Sequence, residues 1–141
     1  MKMHIESTDK PTNEEIEHIS ESLFQYNCKA SGINDFRPFA TYLKNENNEI
    51  LGGIIGWTRW SWAHIENLWI SENYRKLGYG KKLLEEAEHI ARERKCKMID
   101  LDTFNFQAPE FYKKYGYEEL FVLNGIDLGV TKHFFQKKLD N

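Results

Sequence analysis

Four positive charges, with no acid among them, fall within residues 75–82, and the same stretch, RKLGYGKK, holds two glycines. The residues before it read as a strand ending at Ile70 and those after it as an amphipathic helix, so the stretch opens a helix. The first turn of a helix carries backbone N–H groups with no partner inside the helix, and the helix dipole adds partial positive charge at the same end. Gly78 and Gly80 let a ligand oxygen approach that backbone closely, while Arg75 with Lys76, Lys81 or Lys82 can add charge-assisted hydrogen bonds. Phosphate is the ligand this arrangement suits. Single residues exclude two common phosphate motifs. The dinucleotide fingerprint needs a third glycine where the chain has Leu83, and the nucleoside triphosphate loop needs Ser or Thr where it has Lys82.

The elements that must position this turn follow from hydrophobic period. Residues 3–7 read as a short strand. Thr12 or Asn13, followed by Glu14 and Glu15, starts a helix whose apolar positions are Ile16, Ile19, Leu23 and Tyr26, with Gly32 at its end. Residues 38–44 and 50–60 form a hairpin around the polar cluster 45–49, and residues 64–70 add a third strand, on which alternation places His64, Glu66, Leu68 and Ile70 on one face. The period then becomes helical: Leu83, Leu84, Ala87, Ile90 and Ala91 form the apolar stripe of a helix over residues 78–95. Residues 98–104 are a strand, 109–115 a short helix closed by Gly116, and 117–123 and 130–139 the last two strands, joined by a loop that holds Asn124, Gly125 and Gly129. The order is that of a mixed α/β domain in which the 78–95 helix crosses over between neighbouring parallel strands.

Composition narrows the class. The chain has 141 residues, 40% hydrophobic and 29% charged, which suits one globular domain. Net charge is −3, and with the four charges of the turn set aside 15 basic residues face 22 acidic ones, a net of −7. One anion-seeking spot on an otherwise acidic protein argues against a nucleic-acid partner and for a polyanionic small molecule. No apolar run is long enough for a membrane span and no signal peptide is evident, so the expected location is the cytoplasm. Cys28 and Cys96 lack neighbours at ligand spacing, which predicts inert thiols and no metal site.

The pattern Arg75-x-x-Gly78-x-Gly80, set between a strand and an amphipathic helix, resembles the pyrophosphate-binding motif of the GNAT superfamily of N-acetyltransferases. Further on, Asn105-x-x-Ala108-x-x-Phe111-Tyr112-Lys113-Lys114-Tyr115-Gly116-Tyr117 is similar to the second signature of that superfamily, with Tyr117 where phenylalanine is commoner. The resemblance covers residues 57–117 in detail and the whole chain in element order. It implies a single domain over residues 1–141 with a mixed, mostly antiparallel sheet of six to seven strands, a central parallel pair and helices on both faces. It also implies acetyl-coenzyme A as cosubstrate, without a metal. Carried over by residue, it implies that backbone groups of Leu68 and Ile70 pair with the pantetheine arm, that Arg75, Lys76, Leu77, Gly78, Tyr79, Gly80 and Lys81 hold the pyrophosphate, that Asn105 bonds the pantetheine arm, and that Tyr112 protonates the departing thiolate.

Acetyl transfer to an amine makes its own demands. An amine with pKa near 10.4 is almost wholly protonated at neutral pH, so a base must take a proton. The resemblance places such a base at one or both of Glu66 and His64, with Glu66 the first candidate. Phe111 and Tyr115, four apart on a helix, are expected to face the core, which turns Tyr112 toward the cleft. The backbone N–H of Trp69 or Ile70 is the candidate oxyanion donor. Phe36, Trp57, Trp60 and Trp62 are candidates to line an acceptor pocket for a cationic or apolar amine, on a small molecule or a peptide. The rival reading is a non-catalytic module that senses acetyl-coenzyme A or another phosphate ligand for a protein partner. The protein is expected to be a monomer or a homodimer.

Overall fold

A computed structural model of the protein describes residues 1–125 and 127–140; Ile126, in the loop expected near Gly125, and Asn141 lie outside the described residues. The chain divides into two compact units, Met1–Asn34 and Asp35–Asn141. In the first unit, helix α1 (Asn13–Ser31) starts at Thr12 with a complete capping box. The Thr12 hydroxyl accepts from the Glu15 amide at 3.1 Å and the Glu15 carboxylate accepts from the Thr12 amide at 2.8 Å. The helix ends at Gly32, whose φ of +74° is the left-handed conformation of a C-terminal cap. Residues 3–7, expected as a strand, are irregular. Only Met3 and Ile5 mark the alternation there, and a strand needs a ladder partner for its backbone groups.

The second unit is a six-stranded sheet with two helices. Strands β1 (Arg37–Lys44), β2 (Ile50–Arg59) and β3 (Trp62–Ile70) form an antiparallel meander; α2 (Tyr79–Glu93) crosses to β4 (Met98–Phe104); α3 (Pro109–Lys114) precedes β5 (Glu118–Leu123) and β6 (Lys132–Lys138). The spatial order is β1-β2-β3-β4-β6-β5, and β3 with β4 is the one parallel pair among the described strands. The sheet, its central parallel pair and the crossover helix are as the sequence predicts.

The core forms where the stripe of α2 meets the sheet. Leu84, Ala87 and Ala91 are no more than 1% exposed and pack with Ile54, Ala63, Ile65, Ile99 and Leu101; Tyr112 of α3, Tyr117 and Phe135 complete the same cluster. Gly56 of β2 is required by close approach, since a Cβ there would stand 2.4 Å from the His64 carbonyl and 2.7 Å from the Phe39 ring. One member of the α2 stripe is a carboxylate. Glu88 follows Leu84 by one turn and is buried, where it accepts from the Tyr117 hydroxyl and from Lys137 Nζ, both at 2.9 Å. Removing one side of a buried ionic group leaves the other unmet, so Glu88→Ala is expected to lower stability by about 3 kcal/mol in urea titration. A change below about 0.5 kcal/mol, the usual range for surface substitutions, would show that the network carries no weight.

Candidate active site

β3 and β4 pair over three positions only, Trp62 with Met98, Ala63 with Ile99 and His64 with Asp100. β3 runs on to Ile70 and β4 to Phe104, yet they no longer pair, and β4 stays bound to β6 along its other edge as far as Phe104 with Lys132. An opening therefore begins directly after His64 and Asp100. The Ser71 amide donates to the Leu51 carbonyl across β2 at 2.7 Å. Because backbone polar groups alternate from side to side along a strand, Trp69 also directs its amide at β2, while Leu68 and Ile70 direct theirs into the opening. Of the two candidate oxyanion donors, Ile70 thus faces the opening and Trp69 does not.

At the wide end of the opening lies the turn that starts α2. Arg75 is extended and pinned by its Nε, which donates to the Ile70 carbonyl at 2.8 Å; Lys76 and Gly78 have φ of +63° and +88°. A left-handed Gly78 set against the right-handed start of α2 turns successive amides the same way, the geometry of an anion nest. The first intrahelical bond at this end runs from the Lys82 amide to the Gly78 carbonyl at 3.3 Å, no side chain caps the helix and its first turn has no acid. The amides of Tyr79, Gly80 and Lys81 therefore have no partner among the described residues. The two glycines do different work. A Cβ on Gly78 would meet nothing within 4 Å, so this glycine serves its positive φ, whereas a Cβ on Gly80 would press on the Phe111 ring at 3.3 Å, so this one seats α2 against α3. Gly78→Ala must hold a left-handed φ that costs about 1–2 kcal/mol for an L-residue, and is expected to raise KM for acetyl-coenzyme A about tenfold in steady-state assays with little change in kcat. An unchanged KM would remove the turn from the binding site.

The expected sharing of a face on β3 is broken. Ile55 pairs with Asn67 and Gly56 with Ile65, which leaves Glu66 as an extra, exposed residue in a β-bulge. The bulge resets the alternation, so that Leu68 and Ile70 fall in register with the core positions Ile54 and Gly52, while His64 pairs with Trp57 on the opposite face. His64 is the last residue of β3 to pair with β4. Its Nδ1 lies 2.8 Å from Asp100 Oδ1, which also accepts from Trp62 Nε1 at 2.7 Å. The hydrogen bond to Asp100 is the main influence on the imidazole and, against partial burial, raises its pKa above the ordinary value. With Nδ1–H donated to the carboxylate, a neutral His64 keeps its lone pair on Nε2. Trp57 lies 5.2 Å from the imidazole and 4.9 Å from Trp62, and Phe36 lies 5.8 Å from Trp57, so three of the four expected rings line one wall beside His64. Trp60 sits instead at the β2–β3 turn, against the Arg59 guanidinium.

Tyr112 also departs from expectation. It is the buried residue of α3, 5% exposed, whereas Phe111 and Tyr115 are only partly buried. Its ring packs 5.7 Å from Tyr117 and 5.9 Å from Phe135, contacts that a six-residue helix cannot announce through its own periodicity. No group among the described residues hydrogen-bonds its hydroxyl, and burial, aided by the charge of Asp102, pushes its pKa up to about 12. Asn105 is committed within the protein: its amide nitrogen donates to the Gly129 carbonyl at 3.0 Å and its oxygen accepts from the Thr131 amide at 3.1 Å, which ties the end of β4 to the loop before β6. Cys96 is buried and desolvation raises its thiol pKa, as expected of an inert thiol. Among the described residues no group of three or more His, Cys, Asp or Glu side chains is placed to hold a metal ion, and no helix is long and apolar enough to cross a membrane.

The family model for the acetyltransferase (GNAT) family matches residues 3–117. The chain belongs to the GNAT family. It is 36% identical over 111 residues to a blasticidin-S acetyltransferase of Streptomyces morookaense, covering 76% of this chain and 82% of the relative. Among solved structures, an acetyltransferase from Bacillus cereus ATCC 14579 is 40% identical with a TM-score of 0.78 over 97% of this chain and 100% of that one. A Bacillus anthracis protein in complex with acetyl coenzyme A, provisionally described as a streptothricin acetyltransferase, is 26% identical with a TM-score of 0.65 over 79% of this chain and 68% of that one. This GNAT protein is accordingly an N-acetyltransferase that uses acetyl-coenzyme A, and the sensing module is set aside. Its own residues fit that donor: amides at the α2 turn and a protonated Tyr112 hydroxyl that have no partner among the described residues, and unpaired edges of β3 and β4. The sequence lacks any direct signal for Asp100, whose role depends on a strand pairing across 36 positions.

Proposed function

We propose that this GNAT enzyme transfers the acetyl group directly to an amine of a small molecule within a ternary complex, with His64 as base and Tyr112 as acid. The observation that carries this reading is where the opening starts. β3 and β4 part at the His64–Asp100 pair, and Tyr112 belongs to the core cluster on the opposite face of the sheet. A group lying between the parted strands is reachable from both faces, as acid and base of one reaction require. Acetyl-coenzyme A supplies the acetyl group as an activated thioester. The nest at residues 76–81 and the inward backbone of Leu68 and Ile70 hold the donor along the opening, and the Ile70 amide stabilises developing negative charge. His64 Nε2 takes a proton from the acceptor amine, and the Tyr112 hydroxyl returns one to the departing sulfur. Glu66, exposed on its bulge, makes no hydrogen bond or ion pair among the described residues, which is why His64 is preferred here. The substrates in the names of the relatives, together with the ring wall of Trp57, Trp62 and Phe36, support an antibiotic-like, cationic amine as acceptor.

The test is thiol release from acetyl-coenzyme A in the presence of blasticidin S, a streptothricin, a polyamine and a lysine peptide, read alongside donor binding. Amine-dependent release with one of the small molecules is expected. Donor binding with no amine-dependent release, or release with the peptide alone, would overturn the reading.

A further inference from the structure

At the end of β3 remote from the α2 turn, a cavity of about 180 Å³ is lined by Asp35, Arg37, Arg59, Ser61, Arg94 and Cys96, with Thr58 at its wall. Three arginines and one aspartate contribute to its lining. Among the described residues none of the three makes an ion pair, and the Asp35 carboxylate already accepts from the Trp60 amide at 3.2 and 3.3 Å. Arg94 is held in place by its Nη1, which donates to the carbonyls of Arg37 and Pro38 at 3.0 and 3.2 Å and to Thr58 Oγ1 at 3.2 Å. Arg59 lies over the Trp60 ring, its guanidinium carbon 4.1 Å from the ring centroid, and its Nε is shut off from solvent with no hydrogen-bond partner among the described residues. A buried donor left unmet and like charges drawn together are both unfavourable unless an acceptor of opposite charge completes the group. Burial, and after it the charge of Arg37, lowers the Arg94 pKa.

We infer that this pocket is a second anion-binding site, separate from the turn at residues 75–81, for one compact oxyanion group, a carboxylate or a phosphate. The volume supports that size, being room for about six waters at roughly 30 Å³ each, too little for a nucleotide. Its place along β3 also matters. Arg59 pairs with Trp62, two residues before His64, so at about 3.3 Å of rise per residue the pocket lies on the order of 7 Å along the strand from His64. An acceptor with its amine at His64 and an anionic group a few bonds away spans that interval. The same chemistry also suits a free anion.

Inorganic phosphate is titrated into protein saturated with coenzyme A, which occupies the α2 turn, and tryptophan fluorescence reports on Trp57 and Trp60 beside Arg59. A saturable response is expected, with its midpoint raised about tenfold or more in Arg59→Gln and in Arg37→Gln. Arg37 makes no side-chain hydrogen bond among the described residues, so its variant tests the site even if Arg59→Gln fails to fold. No saturable response, or midpoints unchanged in the folded variants, overturns the site. A second arm names the source of the anion by turnover of two amines that differ by one carboxylate. A KM increase confined to the carboxylated amine in the Arg variants assigns the pocket to the acceptor; equal behaviour of both amines, with phosphate binding lost, assigns it to a free anion. This arm rests on the acetyl-transfer reading, whereas the phosphate titration needs no turnover, so the two can fail separately.

Discussion

Tyr112→Phe is expected to cut kcat for acetyl transfer by about 10²- to 10³-fold while leaving the fold and the KM for acetyl-coenzyme A close to wild type. The packing makes this a clean substitution. The ring stands against Phe111 at 5.2 Å, Tyr117 at 5.7 Å and Phe135 at 5.9 Å, and phenylalanine keeps all three contacts. The hydroxyl has no hydrogen-bond partner among the described residues, so its loss breaks no internal bond and relieves the cost of burying an unmet polar group. A phenol pushed up to about 12 is wholly protonated throughout the assay range, as a donor to sulfur must be. It follows that no alkaline limb of the pH–rate profile belongs to Tyr112. A wild-type kcat in a well-folded Tyr112→Phe protein would exclude the acid role and return the residue to the core alone.

The frame of this enzyme is legible in its sequence where one element carries its own period. The crossover helix shows its stripe from Leu83 to Ala91, and β4 is bounded by the charged turn before Met98 and the polar turn after Phe104. The α2 turn is legible too, because two glycines and four cations at a helix start have few other purposes. What escapes is whatever depends on two elements at once. Period-two alternation cannot show the extra residue at Glu66, and only Gly56 across the ladder, squeezed by Phe39 and the His64 carbonyl, hints at it. Which face of the short α3 is buried is decided by Phe135 and Tyr117, not by its own sequence. Glu88 reads as one more helix-surface carboxylate until Lys137, 49 positions on, is placed beside it. Asn105, a motif residue, turns out to be occupied by the loop before β6.

The second large effect concerns His64 and Asp100, and it separates chemistry from scaffolding. His64→Gln is expected to lower kcat/KM by about 10²-fold or more and to abolish the acid limb of its pH profile. Asp100→Asn should move that limb instead. In wild type the Asp100 hydrogen bond raises the imidazole pKa, so the neutral base appears only as pH rises through that elevated value. An asparagine oxygen can still accept from Nδ1–H but no longer favours the imidazolium, so the pKa falls back toward its ordinary value and the limb shifts to lower pH. The plateau falls as well, though less than in His64→Gln, because the ring is held less firmly. Stability gives an independent reading of the same pair. A raised folded pKa contributes stability that is full below the unfolded value near 6.5 and is lost as pH rises through the folded one, so wild type should lose this increment on going alkaline and Asp100→Asn should not. A lowered plateau with an unmoved limb would make Asp100 a packing residue. Near-normal turnover in His64→Gln would pass the base role to Glu66, for which Glu66→Gln is then the decisive variant.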